Sequence, residues 1–173
     1  DGSDNDAPTE RLRIDSNGSI LTATLGGDNV HIGEGAGVSI TSGGNNNVTI
    51  GKSAGTALTT GDNNVAVGYQ ALFTEDADGS STAIGYRALK VQNAGATSYN
   101  TAVGFDAGVS ITTGIRNTIT GGIGGDALTT GSDNTVFGYN ALTADTAGNK
   151  SVAIGRSALS SQNFTSSTDS KNT

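Results

Sequence analysis

Valine, isoleucine and threonine recur along the chain in short alternating stretches, each of which ends on a glycine. In "NNVAVG" (63–68), Val65 and Val67 alternate with Asn64 and Ala66, and this period of two indicates a half-buried β-strand. Eight such stretches occur, at 28–33, 46–51, 63–68, 80–85, 99–104, 116–121, 133–138 and 150–155. The steps from one motif glycine to the next are 18, 17, 17, 19, 17, 17 and 17. This nearly constant period predicts a stack of similar coils.

A second apolar segment follows each of these glycines, and most copies then enter a turn such as "TTGDN" (59–63). The segment is Ala-Gly or Ala-Leu, starting at Ala36, Ala54, Ala71, Ala88, Ala107, Ala127, Ala141 and Ala158. One coil alone buries almost no surface, whereas stacked coils pair equivalent strands ~4.8 Å apart. We therefore predict an all-β fold, a parallel β-solenoid of about eight 17-residue coils with Val and Ile inside. The sixth copy is expected to be irregular, with three extra residues before Ala127.

The leucines of the Ala-Leu segments predict a second apolar column, separate from the valines and isoleucines. This column consists of Leu72, Leu89, Leu128, Leu142 and Leu159. An apolar column that runs along a whole rod is too large to remain in water. We therefore expect these leucines to be the contacts between subunits of a homo-oligomer with cyclic symmetry about the rod axis.

The segments on either side of the repeats divide the chain into three predicted parts. Residues 1–27 are a linker with a short β-hairpin, because alternating residues in 9–20 break at Asn17-Gly18, a hairpin turn signal. Residues 28–160 are the β-solenoid, and residues 161–173 are a polar C-terminal tail. The chain contains no methionine, so we expect a processed product or a piece of a longer protein.

Composition and charge narrow the range of functions. Only 34% of the residues are hydrophobic and 27 of the 173 are glycine, which fits short strands and tight turns better than a large core. The net charge of −7 lacks the basic patch of a nucleic-acid-binding protein. No run approaches the ~18 apolar residues of a membrane span. We therefore expect no nucleic-acid partner and no membrane insertion.

Candidate metal ligands are few, and no catalytic constellation is recognisable. "GGIGGDALT" (121–129) matches a calcium-binding nonapeptide, but those sites need tandem copies. "EDADG" (75–79) groups oxygen ligands without the spacing of an EF-hand. Asp126, Glu75, Asp76 and Asp78 are therefore weak calcium candidates, and acidic turns are the simpler interpretation. We expect no cofactor and no enzymatic activity, since neither the single His31 nor any carboxylate pair indicates catalysis.

An aromatic residue follows the motif glycine in half of the copies. These residues are Tyr69, Tyr86, Phe105 and Tyr139. At one coil spacing their rings predict a ladder, which either stabilises the rod or its subunit contact, or forms an outer platform for a sugar or another surface ligand.

Repeats such as "SVAIGRSAL" (151–159) and "NNVAVGYQAL" (63–72) resemble the head repeats of trimeric autotransporter adhesins and the same repeats in bacteriophage tail fibres. The resemblance covers about residues 29–159 and implies a homotrimeric, left-handed parallel β-roll. The adhesin heads have somewhat shorter coils. "ERLRIDSNG" (10–18) resembles a segment common in tail-fibre proteins, which favours the phage family.

The resemblance implies a structural and adhesive module of a trimeric phage tail fibre, located in the extracellular virion tail. Its partners would be a host cell-surface glycan or protein and other tail or fibre proteins. The variable turns at 73–81, 90–100 and 143–151 are where contact with the host is expected, because loops on a rigid scaffold tolerate change. One alternative is the head of a bacterial trimeric adhesin at the cell surface. Another is a polysaccharide-cleaving tailspike.

Overall fold

The structure, a computed structural model, describes residues 13–14, 20–21, 27–77, 79–170 and 172. Within these residues the protein is all-β, with no helix. The strands are β1 (Arg13–Ile14), β2 (Ile20–Leu21), β3 (Val30–Ile32), β4 (Val48–Ile50), β5 (Val65–Val67), β6 (Thr82–Ile84), β7 (Thr101–Val103), β8 (Thr118–Thr120), β9 (Thr135–Phe137), β10 (Gly148–Asn149), β11 (Val152–Ile154) and β12 (Thr168–Asp169).

Eight of these strands form one parallel sheet in the order β3-β4-β5-β6-β7-β8-β9-β11. Val30 pairs with Val48, Val48 with Val65 and Val65 with Thr82, so each coil lies directly on the previous one. The longest step joins Thr82 to Thr101, across the two-residue insertion that the sequence shows. The predicted parallel β-solenoid and its period are therefore confirmed.

The described residues outside the main sheet form two small pairings. β1 and β2 pair antiparallel, with Arg13 opposite Leu21. The predicted Asn17-Gly18 turn between them lies outside the described residues. β10 and β12 pair parallel, and the Val152 N–H donates to the Asn172 carbonyl at 2.8 Å. Coil-to-coil pairing thus continues beyond residue 160, where the sequence predicted a polar tail.

An alanine five places after the strand centre belongs to the core in most coils, as Ala71 does in the third coil. Three further positions of each coil point into its interior: the central residue of the strand and the residues six and nine places later. In the third coil these are Ala66, Leu72 and Glu75, all with 0% exposure. The first and third residues of the strand, Val65 and Val67, point outward and are half-buried. The predicted alternation is correct, but the prediction that Val and Ile fill the interior is wrong. A leucine at the second position leaves room mainly for a small side chain at the strand centre.

The interiors are of two kinds, which alternate two coils at a time. Apolar coils, those of β3, β4, β7 and β8, carry glycine at the second interior position and Ile or Leu at the third: Gly37 and Ile40, Gly55 and Leu58, Gly108 and Ile111, Gly125 and Leu128. Polar-core coils, those of β5, β6, β9 and β11, carry leucine and then a polar residue: Leu72 and Glu75, Leu89 and Gln92, Leu142 and Asp145, Leu159 and Gln162. The true repeat is therefore four coils, and "NNVAVGYQAL" (63–72) returns as "DNTVFGYNAL" (133–142) for this reason.

The motif glycine at the end of each strand is required by the close stacking of the coils. Gly68 has φ +133°, a conformation that side chains rarely adopt. A Cβ atom there would also clash with the carbonyl oxygen of Gly85 in the next coil. The other motif glycines from Gly33 to Gly138 would meet the backbone of the next coil in the same way, whereas Gly155, in the last coil of the main sheet, has no such contact.

A ladder of buried asparagines fixes one corner of the rod. The Asn47 side-chain oxygen accepts the Asn64 N–H at 2.9 Å, and its Nδ2 donates to the Gly61 carbonyl at 2.7 Å. Each asparagine thus closes its own coil and holds the next one. The ladder changes to serine at Ser81 and Ser151, each in the second coil of a polar-core pair. Buried backbone groups at this corner are satisfied by these side chains.

Candidate functional site

The outer face of the eight-stranded sheet is an apolar surface that the described residues leave uncovered. It is lined by the first and third residues of each strand, which are Val, Ile, Thr and one Phe. The most exposed of them are Ile154 at 66%, Phe137 at 58% and Ile32 at 56%. A parallel sheet is normally covered on both faces, whereas residues 27–77 and 79–170 cover only the inner face of this one.

The leucines predicted as subunit contacts lie elsewhere. Leu72, Leu89, Leu128 and Leu142 have 0% exposure within one chain, and Leu159 in the last coil of the main sheet is half-buried against the same core. Four side chains without exposed surface cannot contact another chain, so the assignment of the leucine column to a subunit contact is wrong. A left-handed backbone, with φ +50° at Leu72, turns the leucine inward.

Leu128 also belongs to a different interior column from the other four leucines. Gly125 occupies the second interior position of the sixth coil, and Leu128 follows three places later, as Leu58 follows Gly55. The expected three-residue irregularity is therefore absent, and this coil has the regular apolar interior. Ala127-Leu128 has the same letters as the Ala-Leu pairs of other coils. The residues of the sixth coil that are structurally equivalent to those pairs lie three places earlier in the chain.

Three of the four aromatic candidates form a continuous stack along the rod. The ring centroids of Tyr69 and Tyr86 are 5.2 Å apart, and those of Tyr86 and Phe105 are 5.0 Å apart. The ring planes deviate from parallel by only 16° and 6°. The rings lie on the surface, with residue exposures of 40%, 41% and 55%. The predicted ladder is thus present over three coils.

Tyr139 lies two coils above Phe105, because the intervening coil carries Gly122 at this position. Tyr139 is 55% exposed. Its ring carbons Cδ2 and Cε2 lie 3.5 and 3.9 Å from the point that a Cβ of residue 122 would occupy. The aromatic column therefore has a break one coil deep, with Phe105 below it and Tyr139 above it.

Charged side chains flank the aromatic column. Arg87 lies over the Tyr86 ring at 5.1 Å and binds Asp106 through Nε–Oδ1 at 2.7 Å and Nη2–Oδ2 at 2.5 Å. Arg156 lies 6.0 Å from the centroid of Tyr139. Cations over ring faces are attracted by the π-electron density. The column is thus held by stacking, by cation contacts and by an ion pair that joins neighbouring coils.

The calcium candidate Glu75 belongs to a buried polar cluster in the interior of the rod. Its Oε2 accepts a hydrogen bond from Gln92 Nε2 at 2.7 Å, and the same amide nitrogen donates to Ser81 Oγ at 2.8 Å. The Asn100 amide donates to Gln92 Oε1 at 2.7 Å. Glu75 therefore faces the core and does not contribute to a solvent-facing acidic turn.

The same cluster recurs one four-coil repeat later. Gln162 Nε2 donates to Asp145 Oδ2 at 2.6 Å and to Ser151 Oγ at 2.9 Å, and Asn172 donates to Gln162. Asp145 also accepts the Gly148 N–H at 2.9 Å, within the turn that leaves the coil. Each cluster thus anchors the base of a long surface turn. Sequence reasoning missed both clusters, although the recurrence of Gln92 as Gln162 in the equivalent coil of the next repeat marks them.

The remaining calcium candidates are not brought together. Asp76 is exposed, and its Oδ1 accepts the Ala77 N–H at 2.6 Å. Burial raises the pKa of Asp126, whose buried Oδ1 has no hydrogen-bond partner. Asp78 lies outside the described residues. Among the described residues, no group of three or more His, Cys, Asp or Glu side chains is arranged to hold a metal ion.

His31 occupies the strand centre of the first coil, a position that is Ala, Thr, Val or Ile in the others. Its Nδ1 lies 2.6 Å from Thr49 Oγ1, while its buried Nε2 has no partner. Burial lowers the pKa of His31. Gly37 makes room for the imidazole, because a Cβ there would overlap the ring. The geometry is that of a core residue without a triad partner.

Comparison with known proteins gives no match to any family model, curated protein or solved structure. In the residues that the structure describes, no helix is long and apolar enough to span a membrane.

Proposed function

We propose that the protein is a structural and adhesive module of a trimeric, rod-shaped fibre, in which the outer faces of three sheets pack together around the rod axis. The observation that supports this most strongly is the exposed apolar face of the eight-stranded sheet. Its length is ~38 Å on the ladder spacing, and a continuous apolar surface of that size marks an interaction site.

The occupant of that face is two further copies of the same chain. The face repeats every coil along the rod, so a second rod with the same spacing matches it strand by strand, whereas a compact partner would match only a few coils. Closed cyclic symmetry covers this face on every copy and leaves none of them open to further chains. Three copies are preferred to two because the sequence repeats resemble those of trimeric fibres.

The adhesive part of the proposal rests on the surface that remains outside the contact. The turns at 73–77, 90–100 and 143–151 emerge from coils whose interiors are held by the buried polar clusters. In the longest turn, Gly95, Ala96 and Thr97 are exposed. Rigidly anchored loops on a stiff scaffold are where binding surfaces are commonly built. The "ERLRIDSNG" resemblance supports a phage tail fibre in the virion, with a glycan or protein of the host surface and other fibre proteins as partners.

Assembly and adhesion are tested together with two lysine variants. Ile84→Lys places a charge in the centre of the outer sheet face, and Thr60→Lys places the same charge on an exposed turn. We expect Thr60→Lys to remain trimeric and Ile84→Lys to dissociate, because a buried unpaired charge is costly.

Fluorescently labelled wild-type protein and both variants are then applied to a panel of bacterial strains. We expect the wild type and Thr60→Lys to bind at least one strain and Ile84→Lys to lose that binding, because three linked sites bind more tightly than one. Absence of binding to every strain would contradict the adhesive role.

A further inference from the structure

The break in the aromatic column at Gly122 has no cause in the backbone. Gly121, the motif glycine, has φ +141° and would meet the backbone of the next coil. Gly122 is not in this left-handed region, and a Cβ there would make only ordinary contacts, none closer than 3.5 Å. A larger side chain would be accommodated, so the local fold does not require glycine at this position.

The break is the place where the column offers the face of a ring. Within the stack, only Tyr86 has a ring on both of its faces. Tyr139 is two coil steps from Phe105, ~10 Å along the axis, and no ring comes from the coil between them. The Tyr139 ring reaches toward the break, because its Cδ2 and Cε2 lie within 4 Å of the Cβ position of residue 122. The break therefore leaves the upper face of Phe105 without the stacked ring that covers Tyr86 on that side.

Groups that form hydrogen bonds lie above and below the break, while Ile123 flanks it in its own coil. Asn140 follows Tyr139 in the chain, and its Nδ2 contacts Ser157 Oγ only at 3.4 Å, near the limit of a hydrogen bond. The Arg87–Asp106 ion pair lies beside Phe105, and the Arg87 side chain is 35% exposed. Apolar ring faces with a few polar groups at the rim suit a ligand that is itself apolar on its faces and polar at its edges.

We propose that the notch formed by Phe105, Gly122 and Tyr139 binds one neutral pyranose ring of a surface glycan, an inference that rests on the proposed adhesive function. A pyranose presents C–H groups on its faces and hydroxyl groups at its edges, which fits both parts of the notch. The net charge of −7 disfavours acidic sugars, because the whole chain repels polyanions.

The test is a variant that fills the notch. Gly122→Phe supplies the missing ring and completes the column, while Lys52→Phe adds a ring at the other end of the column and leaves the notch open. Phe105→Leu is a second variant, which keeps an apolar side chain but removes the ring face. Each variant is first checked for the far-UV circular dichroism and the solution mass of the wild type.

Saturation-transfer NMR then measures transfer from the protein to maltohexaose and to lacto-N-tetraose. We expect the wild type and Lys52→Phe to transfer saturation to pyranose C–H protons of at least one of the two sugars. Gly122→Phe and Phe105→Leu are expected to weaken that binding at least tenfold.

Three results would overturn the proposal: no transfer to either sugar, unchanged binding by Gly122→Phe, or binding of N-acetyltryptophanamide at the notch without sugar binding. The last result would assign the notch to an aromatic side chain of another protein. The trimer is tested separately by solution mass, which an empty notch leaves unchanged, so failure of the notch and failure of the assembly are distinguishable.

Discussion

The apolar coils and the polar-core coils share one backbone and solve the packing of the interior in different ways. In the apolar coil of β4, Gly55 and Leu58 leave space that Thr49 fills at the strand centre. In the polar-core coil of β6, Leu89 fills the middle, Ala83 is small and Gln92 occupies the third position. Large and small side chains exchange places from one pair of coils to the next, so the cross-section stays constant and the strands remain in register.

The two kinds of coil also differ in what they support at the surface. Turns of the apolar coils, such as "TTGIRN" (112–117), are short and return directly to the next strand. The step between motif glycines is 19 residues for the polar-core coil of β6, 18 for the apolar coil of β3 and 17 for the other five. The longest turn, at 90–100, therefore leaves from a polar-core coil, where the Asn100 amide bonds the buried Gln92. In the coil of β9, the buried Asp145 bonds the base of the turn at 143–151. The polar-core coils thus hold the bases of these two turns through buried side chains.

The largest expected effect comes from Leu89→Ala, which removes the side chain that defines a polar-core coil. Leu89 is fully buried, and truncation of a buried leucine costs about 3 kcal/mol because a cavity remains. The free energy of unfolding is measured by urea denaturation at one fixed protein concentration. Leu159→Ala is the matched control in the partly exposed last coil of the main sheet, where less than half of that loss is expected. Equal losses at the two positions would contradict the interior assigned to Leu89.

A smaller loss, about 2 kcal/mol, is expected for Gln92→Leu, because Glu75 and Asn100 then lose hydrogen bonds in the interior. The double variant Glu75→Leu/Gln92→Leu makes these two coils resemble the apolar type at that position. We expect the double variant to lose less stability than the single one, since no buried carboxylate remains. Urea denaturation of these two variants and of the single variant Glu75→Leu gives the coupling between the two positions. Additive losses would show that the cluster does not act as a unit.

The smallest effect concerns His31, the one titratable side chain at a strand centre. Because burial lowers its pKa, the folded state prefers the neutral imidazole. The stabilisation is fully present above the ordinary pKa of about 6.5 and is lost as the pH falls through the lower folded-state pKa. We expect the urea midpoint of the wild type to fall more between pH 7.5 and 5 than that of His31→Thr, which copies Thr49 of the next coil. Identical pH dependence would show that His31 is solvated in the folded protein.

Period and register were predictable from the sequence because stacking requires a glycine and a nearly fixed number of residues in every coil. The steps read from Gly51, Gly68 and Gly85 are those of the strand pairing. The orientation of the strands was not predictable. The alternation of residues shows that a strand has two different faces, but it does not show which face lies inside. Side-chain size favours Val65 and Val67 for the interior. The left-handed conformation of Leu72, which decides the matter, is unfavourable for a leucine. Its only mark in the sequence is the glycine that occupies the same position in the apolar coils, as at Gly37, Gly55 and Gly108.

The aromatic part of the candidate site was predictable because one column carries four rings. Its break was also predictable, because Gly122 directly follows the motif glycine Gly121, and only the stacking of the neighbouring rings required the structure. The polar clusters were missed. Glu75 and Gln92 stand in sequences typical of surface turns, and their burial follows from the two-coil alternation rather than from their own neighbours.

The most direct measurement is the mass of the wild-type protein in solution by light scattering, in native buffer and again after addition of EDTA. If the outer sheet faces pack against each other, the mass is three times the 17.1 kDa of one chain, and EDTA leaves it unchanged. A mass of 17.1 kDa would contradict this assembly, and Ile32, Phe137 and Ile154 would then have to remain exposed on an isolated rod.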